Sequence, residues 1–124
     1  MSFKRPLALG SLVVCDFNGF KAPEMVKCRP VVVVAPHWDR PNLCTIVPLS
    51  TTAPDTMMPY HYAFNDNPIP GRSDPTWAKC DMVTTVSLGR LDRVKLGRGR
   101  YEILHLDAVD FEAIRACLRL FLGL

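Results

Sequence analysis

Arg29 and the hydroxyls of Ser50, Thr51 and Thr52 are the side chains whose types and spacing most plainly allow chemistry. Arg29 opens the run R-P-V-V-V-V, and the hydroxyls close the run T-I-V-P-L-S-T-T about twenty residues later. A planar guanidinium matches phosphate oxygens two at a time, and hydroxyls donate to the same group. If the two runs pair antiparallel, the guanidinium faces the hydroxyl cluster at one end of a sheet. That is an arrangement for binding phosphate.

The elements that must position these groups follow from patterning. Four successive valines are stiff at χ1 and fit a strand buried on both faces, over residues 28 to 36. Residues 11 to 17, S-L-V-V-C-D-F, predict an earlier strand, and residues 43 to 49 a later one. The intervening stretch from 18 to 28, with Gly, Pro and lysines, reads as a loop. The segment from 50 to 59 is polar with two prolines and reads as a mobile surface loop. Alternation over 59 to 64 predicts a strand with Tyr60, Tyr62 and Phe64 on one face. N-D-N-P-I-P-G-R-S-D-P is dense in turn residues. K-C-D-M-V-T-T-V-S, 79 to 87, predicts a fifth strand. The basic run 89 to 100 begins at Arg90 and holds five arginines and lysines; a solvated loop is its default, a track for a nucleic-acid backbone its functional alternative.

Helical periodicity is confined to the end of the chain. Asp107 caps a predicted helix from Ala108, with Asp110 in the first turn. Phe111, Ile114, Leu118 and Phe121 form one apolar stripe, Glu112 and Arg115 pair on the wet side, and Gly123 ends the element. Five or six strands and one helix amount to a mainly β (α+β) fold, a small barrel with a helix packed on it.

The whole chain bounds what this fold can be. Its 124 residues make one domain, 1–124, long enough to bury about two-thirds of its unfolded surface. Hydrophobic residues at 48% and charged ones at 22% exclude a disordered chain, and the net charge of +3 tolerates a polyanionic partner without demanding one. Five cysteines without C-x-x-C spacing point to reduced thiols, a cytoplasmic setting and no zinc. The start of the chain imitates a lipoprotein signal leading to Cys15, but Pro6 and Gly10 interrupt it and Val14 replaces the small residue that cleavage needs. No stretch approaches a membrane span. His37, His61 and His105 fit no motif and read as structural, and Trp38 and Trp77 flank loops, where base stacking and packing are equally open.

With these motifs in place, the chain resembles the MazF/PemK family of toxins from type II toxin–antitoxin systems. The resemblance rests on G-S-L-V-V-C-D-F, E-M-V-K-C-R-P-V-V-V-V, T-I-V-P-L-S-T-T and K-C-D-M-V-T-T-V-S in that order, over nearly the whole chain. It implies an SH3-like β-barrel of five to seven strands with a C-terminal helix, forming a homodimer. It also implies a cytoplasmic endoribonuclease, an mRNA interferase that cuts single-stranded RNA at specific sequences. The reaction would need no metal or other cofactor, because the RNA 2′-hydroxyl attacks its own phosphate and leaves a 2′,3′-cyclic phosphate. The partner implied is a cognate antitoxin with an acidic, disordered C-terminal segment, in a complex that binds DNA. No membrane is involved.

By the same resemblance Arg29 matches the catalytic arginine, and Ser50 with Thr51 the catalytic hydroxyl position. Glu24 falls where many members carry a glutamate, and Lys79 and Asp81 match acid–base positions of the PemK branch, where the first is an arginine. Thr52 and Arg90 join Lys79 and Asp81 as expected RNA contacts, and either Glu24 or Asp81 serves as general base. Two positions depart from the pattern: Pro23 replaces a histidine, and the glycine before Arg29 is missing. Two other readings compete. A CcdB-like gyrase poison would need a tryptophan where Leu122 stands, and a catalytically silent binding barrel would not need Arg29 and Ser50 together.

Overall fold

The valine run forms the middle of the sheet, with Val31, Val32 and Val33 fully buried and Val34 partly so. The computed structural model describes residue 3 and residues 5–124; Met1, Ser2 and Lys4, part of the signal-like start, lie outside the described residues. Strand β2 (Arg29–Pro36) lies between β1 (Ser11–Cys15) and β3 (Leu43–Ser50), antiparallel to each. Val31 and Val33 point into one core with Val13, Phe17 and Ile46. Val32 points the other way, into a second core with Leu12, Val47 and Ile114. Each such buried side chain contributes about 1.5–3 kcal/mol relative to exposure. The register between β2 and β3 shifts once, between Val33 and Ala35.

The remaining strands are short: β4 (His61–Ala63), β5 (Trp77–Lys79), β6 (Thr84–Ser87), β7 (Leu91–Asp92), β8 (Val94–Gly97), β9 (Arg100–Glu102) and β10 (Leu104–His105). The first half of β3 pairs with β6, and its last two residues pair with β5, which carries β4 on its outer side. Strand β1 is shared in the same way, Ser11 and Leu12 facing β10 while Val14 and Cys15 face β7. A single 3-10 turn, Leu88–Arg90, joins β6 to β7. One continuous segment thereby links the far edge of β3 to the outer edge of β1 and wraps the sheet around the Val31 core. Leu88, buried at the turn, donates its amide to the carbonyl of Asn42 at 2.8 Å and helps hold the wrap.

Two expectations need correcting here. Residues 79–87 are not one strand, because a 3-10 turn at Cys80–Met82 breaks them; Cys80 is drawn into the second core and β5 and β6 then address different parts of β3. The basic run 89–100 is not a loop either. It supplies β7 and β8, the latter paired with β9 in a two-stranded ribbon pinned by buried Val94.

Helix α1 (Ala108–Leu122) begins and ends as its termini predict. The Asp107 carboxylate accepts from the Asp110 amide at 2.8 Å, and Gly123 closes the helix at φ 73°. Ile114 and Cys117 are its buried residues, with Phe111 and Leu118 partly buried. Phe121, expected on the same stripe, is exposed and touches Tyr60 edge-on at 5.2 Å between ring centres. Tyr60, Tyr62 and Phe64 do share a face and pack on the second core. Among the described residues, no helix is long and apolar enough to cross a membrane.

Candidate active-site cleft

Arg29 and Ser50 come to the same end of the sheet because β2 and β3 run antiparallel. Val31 is partnered with Pro48, and the same ladder continued toward its end sets Arg29 opposite Ser50. Both residues, with Thr51, line a cleft of about 280 Å³ at that end of the sheet. Its far wall comes from the loop after β4, through Asn67, Ile69 and Arg72.

The two sides of the cleft differ in what they offer a ligand. Ser50 is buried, and its Oγ accepts the amide of Thr52 at 3.1 Å, so its own proton remains to be donated. Thr51 is exposed on the wall. Thr52 contributes its amide to this turn, and its side chain is exposed and away from the lining. Arg29 is half-buried, and its Nε is buried with no hydrogen-bond partner among the described residues. A buried donor on a cation is costly to leave unpaired, so an anionic acceptor in the cleft would relieve it. Cys28, beside Arg29, is exposed; partial burial, and after it the charge of Asp16, pushes its thiol pKa up.

The expected carboxylates lie elsewhere. Glu24 and Asp81 share a second cleft of about 220 Å³, with Phe20 and Met25, that has no lining residue in common with the first. A Glu24 Oε1 oxygen accepts the Lys21 amide at 2.7 Å, which folds its loop back on itself. An Asp81 Oδ1 oxygen lies 3.4 Å from Nε2 of His61, whose Nδ1 accepts the Met58 amide at 3.0 Å. With Nδ1 accepting, the ring proton sits on Nε2 and faces the carboxylate. Lys79 stands across from His61 in the β4–β5 register.

Arg90, expected as an open RNA contact, is turned inward. Its Nη1 donates to the carbonyls of Asp16 at 2.9 Å and Asn18 at 2.7 Å, and its guanidinium lies 5.0 Å over the Phe20 ring. It fastens the loop between β1 and β2. No group of three His, Cys, Asp or Glu side chains able to hold a metal occurs among the described residues.

Sequence reasoning missed two participants. Arg72 lines the first cleft, and the P-G pair before it was a signal for a rigid presenting turn. His61 was read as structural; its contact with Asp81 joins residues from two elements, and no local pattern announces it.

A profile of the family described as "PemK-like, MazF-like toxin of type II toxin-antitoxin system" matches residues 9–122. Among curated proteins the chain is 36% identical over 89 residues to the protein YifN of Escherichia coli (strain K12); the match spans 67% of this chain but 59% of that protein. Among solved structures it is similar to MazF (Form-I) from Deinococcus radiodurans, with a TM-score of 0.68 at 19% identity, covering 96% of this chain and 98% of that one. It is also similar to an endoribonuclease solved in complex with its cognate antitoxin from Mycobacterial species, with a TM-score of 0.64 at 18% identity, over 95% and 96% of the two chains. These likenesses show the fold: a mainly β architecture with a C-terminal helix.

Proposed function

The chain belongs to the PemK-like, MazF-like toxin family of type II toxin–antitoxin systems, and from that premise we propose that it is an endoribonuclease that cuts single-stranded RNA. The observation that supports the proposal is that Arg29, whose Nε is buried without a hydrogen-bond partner among the described residues, lines one cleft together with Ser50. Attack of a 2′-hydroxyl on the adjacent phosphorus builds negative charge on the non-bridging oxygens. Arg29 is suited to receive that charge in fork geometry, and Ser50 to donate one further hydrogen bond. The bond formed is from the 2′-oxygen to phosphorus and the bond broken is from phosphorus to the 5′-oxygen, which takes up a proton from water as it leaves; the products are a 2′,3′-cyclic phosphate and a 5′-hydroxyl. Because the RNA supplies its own nucleophile, Ser50 acts as a donor only, and no step in this reading calls on a metal.

The proton of the 2′-hydroxyl must go to a base. Within one chain neither Glu24 nor Asp81 lines the Arg29 cleft, where Asp74 is the carboxylate in the lining, so in this reading Glu24 or Asp81 could reach the phosphate only through loop movement or from a second copy. A homodimer is supported by the large apolar residues left exposed at the end of α1, Leu120, Leu122 and Leu124. An acidic antitoxin segment, disordered when free, would fold onto the toxin and compete for Arg29.

The test is end-group analysis of RNA cut by the purified chain, with a parallel substrate carrying a 2′-deoxy sugar at the cut position. The expected products carry cyclic phosphate and 5′-hydroxyl ends, and the deoxy substrate resists. Cleavage of the deoxy substrate, or 5′-phosphate ends, would overturn the proposal.

A further inference from the structure

A second cationic cleft adjoins the first, and Arg72 is their common wall. It has a volume of about 380 Å³ and is lined by Arg72, Lys95 and Arg98 around the backbone of Gly71 and Gly97, with no carboxylate in its lining. How the chain builds it is plain from local structure. Ile69, Pro70, Gly71 and Arg72 make a turn in which the Arg72 amide donates to the Ile69 carbonyl at 3.2 Å and Gly71 takes φ 83°. Proline followed by a positive-φ glycine is the type II pattern, the ring fixing φ at the first central position and glycine accepting the left-handed second one without a Cβ clash. The turn is anchored on buried Ile69, whose amide donates to Asn67 Oδ1 at 2.9 Å. On the opposite side Lys95 and Arg98 stand on the β8–β9 ribbon, held by buried Val94.

None of the three cations has a side-chain partner among the described residues, whereas nearby Arg100 is paired with Glu102 at 3.2 Å. Gly97 has an ordinary φ, and a Cβ there would meet nothing within 4 Å, so packing does not demand glycine. What its missing side chain leaves is an open floor between the cations.

We infer that this cleft, formed by Arg72, Lys95 and Arg98, holds the phosphates of the RNA that flank the cut on one side, so that the strand passes from Arg29 over the 69–72 turn to the ribbon. The inference rests on the endoribonuclease reading of the Arg29 cleft. Unpaired cations on two rigid supports suit a charged backbone of regular spacing. An acidic peptide would want apolar anchors as well, and Leu96 is the one large apolar residue in the lining.

The experiment uses the full chain and 2′-O-methyl RNA built on the sequence it cuts: a short oligonucleotide filling the first cleft, and longer ones extended at either end. Lys95→Ala/Arg98→Ala removes two exposed charges and leaves the first cleft untouched. Its affinity for one of the two extended oligonucleotides should fall. For that oligonucleotide the slope of log K against log salt should flatten by about 1.4, at roughly 0.7 per phosphate contact on a single strand. Binding of the short oligonucleotide, and cleavage of the same short sequence made with free 2′-hydroxyls, should not change, and Lys95→Glu/Arg98→Glu should deepen the loss in the same extended oligonucleotide only. An unchanged slope for both extensions overturns the inference while leaving the endoribonuclease reading intact. So does equal loss with the short RNA, or weakening confined to an acidic antitoxin peptide. A wild-type chain that binds and cuts no RNA overturns both.

Discussion

The His61 imidazole links the turn before β4 to the turn after β5, with Nδ1 accepting the Met58 amide and Nε2 3.4 Å from the Asp81 carboxylate. The His61 side chain is 8% exposed and that of Asp81 34%, so the pair sits at the boundary of solvent rather than in it. His61→Ala cuts both links and leaves the Met58 amide and Asp81 unheld. The expected cost is about 1–3 kcal/mol, read as a lower urea midpoint with an unchanged m-value. A midpoint equal to wild type would show that the bridge carries no stability.

Arg29→Ala should slow RNA cleavage by about 100- to 1000-fold, the usual loss when one transition-state donor is removed. Ser50→Ala should slow it less, since a neutral donor is weaker than a charged one. Because both act on one phosphate, the double variant should lose less than the product of the single losses. Arg29→Lys keeps the charge without the fork and should fall between wild type and alanine. The measurement is single-turnover cleavage, with circular dichroism to show that each variant is folded. Wild-type rates from a folded Arg29→Ala would remove Arg29 from the mechanism.

Of the five cysteines, four are buried and Cys28 is exposed on the rim of the Arg29 cleft. A native titration with a maleimide should label Cys28 alone, and slowly, because its thiol pKa is raised. The adduct should block cleavage by filling the cleft. Cys28→Ser should stay active and become insensitive to the reagent. Full activity of the labelled wild type would place the reacting phosphate elsewhere.

The buried cysteines also make stability fall in alkali. Desolvation pushes Cys15 and Cys80 to about 12 and Cys44 to about 11 from a free value of 9.0. Tyr62, desolvated and donating to Asp110, is pushed up to about 12 from 10.0. All four hold their protons when folded and release them on unfolding. Their stabilisation is therefore complete below pH 9 and lost progressively as pH rises toward 12. Urea midpoints measured across that window should decline, and Cys44→Ala should make the decline shallower. A midpoint independent of pH there would contradict the burial of these thiols.

What could be read from the chain alone depended on how local each signal is. The valine run and the V-P-L-S-T-T exit were enough to bring Arg29 and Ser50 to one end of the sheet, where both line the first cleft, because an antiparallel pair needs only strand direction. The cap at Asp107 and the stop at Gly123 were legible because capping is written in neighbouring residues. The Phe121 end of the helix stripe was not: periodicity finds a face but not where the sheet beneath it ends, and Cys117 takes the buried place instead. The His61–Asp81 contact and the turning-in of Arg90 toward Asn18 join residues far apart in sequence, and only the folded chain discloses them. The ribbon of β8 and β9 is not legible in the chain because its alternation is short, one buried Val94 beside exposed Lys95, within a run dominated by charges and glycines.

The shared edge of β1 bears on how this molecule comes into being. Its inner neighbour, β2, follows closely in the chain, but its outer neighbours are residues 91–92 and 104–105. A polypeptide emerging from the ribosome therefore carries an unpaired strand edge until residues 91–92 and then 104–105 have been made. Such an edge recruits any extended segment it meets. Premature termination before Leu91 would release fragments with a sticky border, prone to aggregate, and the wait for distant partners makes maturation slow.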